Sequence, residues 1–219
     1  MEGDTRERIL LAALAQFAQR GYAGTSMSDI AGALGLSKAA LYRHFESKQA
    51  ILDAIVARMA EQDGEHARQS GVPEDMPVAD ACRATEIAQL CAFAKDMFRY
   101  WTRDPFASAF RRVRTLEQYR DADMARMLSQ MLSAGPLEYV HALLVGRADD
   151  PQAAALELYG PMFLLYSVYD GAQDDAQRQA VTAALDAHID RFCAKWEGRA
   201  CATACRRTNR ARTDFAPGA

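Results

Sequence analysis

The sequence has 219 residues, 50% of them hydrophobic, and a formal net charge of −3, which gives no general attraction to nucleic acid. It contains no apolar run near the roughly 18 residues that a membrane-spanning helix needs. Its acidic start lacks the apolar segment of a secretory signal. We therefore expect a cytoplasmic protein without a membrane partner. Because alanine is abundant and β-branched residues are sparse, helices are favoured over sheet.

The first third of the chain is predicted to form four helices. Apolar residues at helical spacing predict one over 5–20. Ser26 and Asp29 form a capping pattern that starts a second helix. Ser37 caps a third, shorter helix, and a fourth is predicted over 47–68.

The rest of the chain is also predicted to be helical, with breaks that contain proline. The loop from Val72 to Pro77 is the predicted domain boundary. After it, apolar periodicity predicts helices over 78–102, 106–118, 122–147, 152–169 and 176–197. The third of these is expected to be kinked or broken at Gly135-Pro136. The tail, 198–219, has five arginines and one acid and is expected to be disordered.

The segment from Thr25 to Lys48, TSMSDIAGALGLSKAALYRHFESK, carries the functional signal. Two short helices are joined by a tight turn at Gly35, where glycine allows a positive φ and a steep crossing. On the third helix, Leu41 and Phe45 are spaced to face the core. The opposite arc and its flanks carry small residues beside long ones: Lys38, Ala39, Ala40, Tyr42, Arg43 and His44. Such a face suits a DNA groove, since small residues allow close approach and long ones reach bases and phosphates.

These residues resemble the signature of the TetR/AcrR family of regulators over about residues 6–58. The matching positions are Ala13 and Phe17, Gly21-Tyr22, Thr25-Ser26, Asp29-Ile30-Ala31, Leu41-Tyr42-Arg43-His44-Phe45 and Lys48. Two later segments, Leu116 to Arg120 and Tyr159 to Leu165, resemble one branch of the family more loosely. The resemblance implies an all-α fold, with an N-terminal three-helix helix-turn-helix domain and a larger helical ligand-binding and dimerisation domain. It also implies double-stranded operator DNA as a partner.

The resemblance implies a role for each matched residue on DNA. Phosphate contacts would come from Thr25, Ser26, Tyr42, His44 and Lys48. Residues at or near base edges would be Lys38, Ala39, Ala40 and Arg43, and Ser37 would also belong to the DNA-binding set. Arg43 replaces a residue that is often aromatic or polar in relatives, so their operator sequences do not transfer to this chain.

We expect a DNA-binding domain over 1–48, a connecting helix over 49–71, a ligand-binding and dimerisation domain over 72–197 and the basic tail. One recognition helix reads only a few base pairs, so a two-fold dimer is expected to read a palindromic site. The predicted four-helix dimer interface uses Leu158, Met162, Leu165, Tyr169, Val181, Leu185, Ile189, Phe192 and Trp196. In the alternative, both helices close the core of the monomer.

The middle helices are rich in methionine and aromatic residues, and the family places an inducer pocket among the equivalent helices. The candidate pocket residues are Phe93, Met97, Trp101, Phe110, Tyr119, Met127, Met131, Tyr139, Met162 and Tyr166. They would suit a small, largely apolar or planar effector, or they are ordinary core residues at helical spacing. Effector binding would favour a dimer geometry that no longer matches the groove, with coupling through the helix over 47–68. Repression is the family default, and activation stays open.

The sequence disfavours two other classes of protein. An enzyme would need a catalytic constellation, but the sequence has no nucleophile elbow, phosphate loop or HExxH, its four histidines are scattered, and no cofactor motif is present. A binding module that has lost its DNA contacts is disfavoured because Tyr42, His44 and Lys48 are intact. The sequence therefore predicts a dimeric, ligand-responsive transcriptional regulator and no enzyme.

Overall fold

The computed structural model describes residues 2–69, 86–130 and 136–197. Over these ranges the chain forms helices and a single isolated bridge, between Val145 and Ala148. The helices are α1 (Glu2–Arg20), α2 (Met27–Ala33), α3 (Lys38–Tyr42), α4 (Lys48–Gln69), α5 (Ile87–Arg103), α6 (Pro105–Glu117), α7 (Ala122–Ser129), α8 (Pro136–Leu144), α9 (Pro151–Gly171) and α10 (Asp175–Trp196). None of these helices is both long enough and apolar enough to cross a membrane.

The all-helical prediction is confirmed over the described residues. The helix expected over 122–147 is described as α7 and α8, and residues 131–135, which include Gly135 of the expected break, lie outside the described residues. The predicted loop at 72–77, the start of the helix over 78–102 and the tail lie outside the described residues. Four of the later helices begin where aspartate side chains cap them, at Asp104, Asp121, Asp150 and Asp174. Each of these side chains accepts backbone N–H groups that have no partner within the first turn of the helix.

The chain divides into two compact units. Among the described residues, the first consists of 2–69 and 99–130, and the second of 86–98 and 136–197. This division differs from the predicted one, because α6 and α7 belong with the N-terminal helices. The division passes through α5, whose residues up to Phe98 belong to the second unit.

In the first unit, α1 packs against α2, α4 and α6, and α7 packs against α6. Its fully buried core includes Ile9, Phe17, Ile30, Leu41, Ile51, Ile55 and Phe110. Burying each of these large side chains contributes on the order of 1.5–3 kcal/mol relative to exposure. This core fixes the two helices that precede α3, and so determines which side of α3 faces solvent.

In the second unit, α9 packs against α8 and α10. Leu158, Leu185 and Ile189 are fully buried, and Phe98 stacks on Tyr166 with ring centroids 5.1 Å apart. Burial raises the pKa of the Tyr159 hydroxyl far above its usual value. The interior of this unit is therefore apolar enough to penalise a charged group strongly.

Candidate nucleic-acid interface

The turn between α2 and α3 has the geometry of a helix-turn-helix. Ser26 and Asp29 form a complete capping box at the start of α2, and the hydrogen bonds from Ser26 hold the pKa of Asp29 below its usual value. Gly35 has a φ of +65°, a conformation that side chains disfavour. The Leu36 N–H then bonds the Ala31 carbonyl at 2.9 Å. The predicted glycine turn is confirmed.

Helix α3 presents to solvent the side that the sequence predicts to face DNA. Leu41 is fully buried, whereas Tyr42 is 45% exposed, and Lys38, Ala39 and Arg43 are also exposed. The Lys38 ammonium lies 5.9 Å from the centre of the Tyr42 ring. The tyrosine, the arginine and the lysine therefore share an outward surface with a small residue between them.

The side chains of the cap residues and at the edges of α3 are more buried or more hydrogen-bonded than those on its outer face. Ser37 is exposed, and its hydroxyl oxygen accepts the Ala40 N–H at 3.1 Å as the N-cap. Ser26 is exposed with its hydroxyl bonded to Asp29. Ala40 and His44 are half-buried. These residues lie at the edges of the exposed surface, and the side chains of the two serines already stabilise helix ends.

Thr25 does not fit its predicted phosphate contact. Its side chain is 1% exposed, and its hydroxyl donates to the Gly21 carbonyl at 3.0 Å inside the fold. A buried hydroxyl already bonded to the backbone cannot reach a phosphate without breaking that bond. The structure therefore gives the side chain of Thr25 a local role in the turn between α1 and α2.

Lys48 is also engaged inside the protein, and its predicted contact with a phosphate stays a prediction. Its ammonium donates to the carbonyls of Tyr22 at 2.6 Å and Thr25 at 2.8 Å, and lies 4.2 Å from the centre of the Tyr22 ring. The Tyr22 hydroxyl in turn donates to Gln49 at 2.9 Å. Lys48 therefore anchors the turn before α2 to the start of α4. Sequence spacing could not reveal this, since the partner atoms belong to the backbone.

Arg6 is a residue of this region that the sequence patterns did not single out. Its guanidinium donates to the His44 carbonyl at 3.1 Å and lies 4.1 Å above the Phe45 ring. It thus holds the end of α3 to α1. The only sequence signal was its place on the polar side of α1, which many surface arginines share.

Most of the predicted dimer residues are buried in the single chain. This agrees with the alternative that both helices close the core of the monomer. Leu165 and Tyr169 are half-buried, and seven are buried in the second unit: Leu158, Met162, Val181, Leu185, Ile189, Phe192 and Trp196. Side chains already packed inside one chain cannot also form the surface of an interface. The exposed apolar residues of α9 are instead Leu156, Leu164 and Val168.

The predicted pocket residues are divided between the two units. In the first unit Trp101 and Phe110 are buried, Met127 is half-buried and Tyr119 is 87% exposed. In the second, Met162 and Tyr166 are buried and Phe93, Met97 and Tyr139 are half-buried. Met131 lies outside the described residues. Tyr119 is wrong as a pocket residue, because it follows the last residue of α6 in a turn where helical spacing no longer applies.

The first unit contains a buried polar group that the patterns did not predict. Burial raises the pKa of Asp63 to about 6, and the nearby Arg114 and Tyr100 only partly oppose this effect. Burial likewise lowers the pKa of Arg114 to about 10. The Arg114 Nη2 donates to the Met127 carbonyl at 3.0 Å, while its Nε and the Asp63 Oδ1 are buried without a hydrogen-bond partner. Such groups cost free energy in a folded protein.

Comparison with known proteins places this helix-turn-helix among bacterial regulators. Residues 9–55 match the family model described as bacterial regulatory proteins, tetR family. An HTH-type transcriptional regulator of Bacillus subtilis, YerO, is 43% identical over 49 residues, 22% of this chain and 17% of YerO. The negative regulator of the icaADBC biofilm operon in Staphylococcus aureus, IcaR, is 39% identical over 51 residues, 23% of this chain and 27% of IcaR. The matches thus span about a quarter or less of these relatives.

Solved structures share the fold over most of the chain. A regulator from Saccharomonospora viridis in complex with choline aligns with a TM-score of 0.61 and 18% identity, over 86% of this chain and 96% of that one. AibR, in complex with isovaleryl coenzyme A and operator DNA, aligns with a TM-score of 0.58 and 19% identity, over 82% of this chain and 95% of that one. The solved structures show that the chain shares their all-helical fold, and the family match covers its N-terminal helix-turn-helix. Residues 9–55 of the chain therefore match the TetR family of bacterial regulatory proteins.

Proposed function

We propose that the chain is a ligand-responsive repressor that binds a palindromic operator as a homodimer in the cytoplasm and is released by a small, largely apolar effector. The observation that carries the proposal is the exposed face of α3, with Lys38, Tyr42 and Arg43 around Ala39. A helix with such a face can enter the major groove, where arginine and lysine recognise guanine and tyrosine bonds a phosphate. The name of IcaR as a negative regulator supports repression.

DNA binding is tested with the segment upstream of the protein's own gene, labelled for fluorescence anisotropy. Tyr42→Ala and Arg43→Ala should each weaken binding at least tenfold, a change of about 1.4 kcal/mol. Val145→Ala is the control, since this residue is 54% exposed and belongs to the second unit. If Tyr42→Ala and Arg43→Ala bind as tightly as the unchanged protein, the face of α3 does not read DNA.

The dimer is proposed to form through the exposed sides of α9 and α10. On α9, Leu156, Gly160, Leu164 and Val168 follow one another at intervals of four residues, and all are exposed in the single chain. On α10, Ala180, Ala184, Ala187 and Ala194 form an exposed stripe of small residues. An exposed apolar stripe on a helix favours association, and small residues allow a facing helix to approach closely. A two-fold axis would bring the same helices of both copies together.

Light scattering coupled to size-exclusion chromatography tests this interface. Leu164→Glu should convert a dimer to a monomer without changing the helical circular dichroism, because Leu164 is 66% exposed in one chain. Leu116→Glu in the first unit introduces the same charge at a leucine that is 47% exposed, and should remain a dimer. A monomeric unchanged protein at micromolar concentration would overturn the proposal of a dimer.

The effector is proposed from the pocket residues and from what related folds bind. The structures with choline and with isovaleryl coenzyme A hold ligands of very different chemistry, so the class of effector must come from this chain. Asp63 and Arg114 would give a largely apolar effector one polar group to bind. A thermal-shift screen of hydrophobic acids, amides and phenols, followed by release from labelled DNA, tests this. Compounds that raise the melting temperature without releasing DNA would exclude the proposed switch.

A further inference from the structure

Glu117, the last residue of α6, reaches the DNA-binding helices directly. Its side chain is almost fully buried, and its Oε1 accepts the backbone N–H of Tyr22 at 2.8 Å. Arg120 lies 3.9 Å from the same oxygen and is itself largely exposed. A hydrogen bond from a backbone amide to a buried carboxylate is among the stronger neutral-to-charged bonds in proteins. The end of α6 is therefore held to the turn that leads into α2.

Gly21 makes this approach possible. It has a φ of +76°, and a Cβ placed on it would lie 2.8 Å from the Glu117 Oε1. Real Cβ atoms do not come so close, so any other residue at position 21 must push the carboxylate away. The positive φ would also strain a side chain at this position. The chain thus has a glycine where the carboxylate needs space.

Tyr22 is held from a second direction. Glu117 on α6 binds its N–H, and Lys48 at the start of α4 binds its carbonyl. Its ring packs edge-on against Phe17 of α1, with centroids 5.2 Å apart. The residues that follow Tyr22 lead directly to the N-cap of α2. The position of α2, and of α3 packed on it, therefore depends on both α4 and α6.

We propose that Glu117 is a positioning residue for DNA binding: through the Tyr22 amide, it sets where α2 and α3 stand relative to α6. This inference rests on the proposed function, and it adds a route through α6 to the coupling expected through α4. A movement of the C-terminal end of α6 would reach the recognition helix through one hydrogen bond. The protein binds its operator tightly only while the hydrogen bond from the Tyr22 N–H to Glu117 is intact.

The test uses the full chain and DNA anisotropy with its own upstream segment. Glu117→Ala should weaken binding at least tenfold, whereas Glu117→Gln should stay within about threefold of the unchanged protein, since its amide oxygen still accepts the Tyr22 N–H. Gly21→Ala displaces the carboxylate from the other side and should weaken binding as Glu117→Ala does. Gly146→Ala is the matched control for strain, because Gly146 has a φ of +79° in the second unit, and it should bind normally.

Two further measurements separate positioning from loss of structure. The effects of Gly21→Ala and Glu117→Ala should not add, since each breaks the same contact. Hydrogen exchange at the Tyr22 amide should quicken in Glu117→Ala but not in Glu117→Gln, with both variants folded at the assay temperature. If the unchanged protein does not bind the upstream DNA, the proposed function fails. If it binds and Glu117→Ala binds equally well, or loses affinity only through unfolding, the inference about Glu117 fails alone.

Discussion

The His188 imidazole on α10 donates through Nε2 a 2.8 Å hydrogen bond to the backbone carbonyl of Glu157 on α9. That carbonyl lies four residues before Pro161, whose nitrogen has no hydrogen to donate within the helix. His188 therefore supplies, from a neighbouring helix, the bond that the proline denies to α9. This relationship explains how a 21-residue helix continues through an internal proline.

The first prediction is that His188 and Pro161 are energetically coupled. His188→Leu should lower the free energy of unfolding by about 1 kcal/mol, because the Glu157 carbonyl loses its partner. In a Pro161→Ala background the same change should cost clearly less, since the new backbone amide can serve that carbonyl. Urea unfolding of the four proteins measures the coupling. Equal costs in the two backgrounds would show that the imidazole bond does not compensate for the proline.

The second prediction concerns pH and Asp63. Its pKa is raised to about 6 by burial, so the folded protein binds this proton more tightly than the unfolded chain does. The contribution to stability is therefore present below about pH 4 and is lost as the pH rises through about 6. The lost stability amounts to at most about 3 kcal/mol, at 1.36 kcal/mol per pKa unit.

Urea unfolding from pH 4 to pH 7, with Asp63→Asn as the comparison, measures this change. The unchanged protein should lose stability relative to the variant as the pH rises, because asparagine does not titrate. Asp53→Asn, at an exposed position on the same helix, should follow the unchanged protein. Parallel pH profiles for Asp63→Asn and the unchanged protein would contradict the raised pKa.

The third prediction separates two lysines that the sequence assigned to DNA. Lys48→Met removes two bonds to backbone carbonyls and should lower the free energy of unfolding by about 1–3 kcal/mol. Lys38→Met, at an exposed position, should leave unfolding unchanged and lower DNA affinity, with the slope of log affinity against log salt reduced by about one. Thermal unfolding and salt-titrated anisotropy measure both. A Lys48→Met protein with normal stability would contradict the anchoring role of Lys48.

The fourth prediction concerns the two sides of α9. Leu158→Ala should lower the free energy of unfolding by about 2–5 kcal/mol, because its side chain is fully buried in the chain. Leu164→Ala should leave the unfolding of a single chain nearly unchanged and weaken association. Denaturant unfolding over a range of protein concentrations separates the two effects. Comparable losses at both positions, independent of concentration, would contradict this assignment of core and surface.

Local sequence patterns predicted the helices well where the residues that define a helix end or a buried side lie within the helix or next to it. The cap residues and proline breaks located most helix ends, and the spacing of Leu41 and Phe45 correctly predicted which side of α3 is buried. The local contacts of Thr25 and Lys48 were missed because their partners are backbone carbonyls in a turn without periodicity.

Helix α9 illustrates a different limit of sequence patterns. It is apolar on two sides, so periodicity could not distinguish its core face from a surface for another chain, and Leu158 was assigned to the wrong one. Glu117 is separated from Tyr22 by 95 residues. No local pattern connects residues at that distance, and only the packing of α6 on α1 brings them together.

The packing of α6 on α1 also bears on how such regulators can be recombined. A chimera that joins residues 1–48 to the body of another family member would leave behind the helix that covers α1 and the carboxylate that binds Tyr22. The transplanted helix-turn-helix would expose apolar surface to water. It would also lose the hydrogen bond that holds the turn before α2. Retargeting this protein to a new promoter should therefore exchange the outer residues of α3 alone, leaving the rest of the DNA-binding domain with its native body.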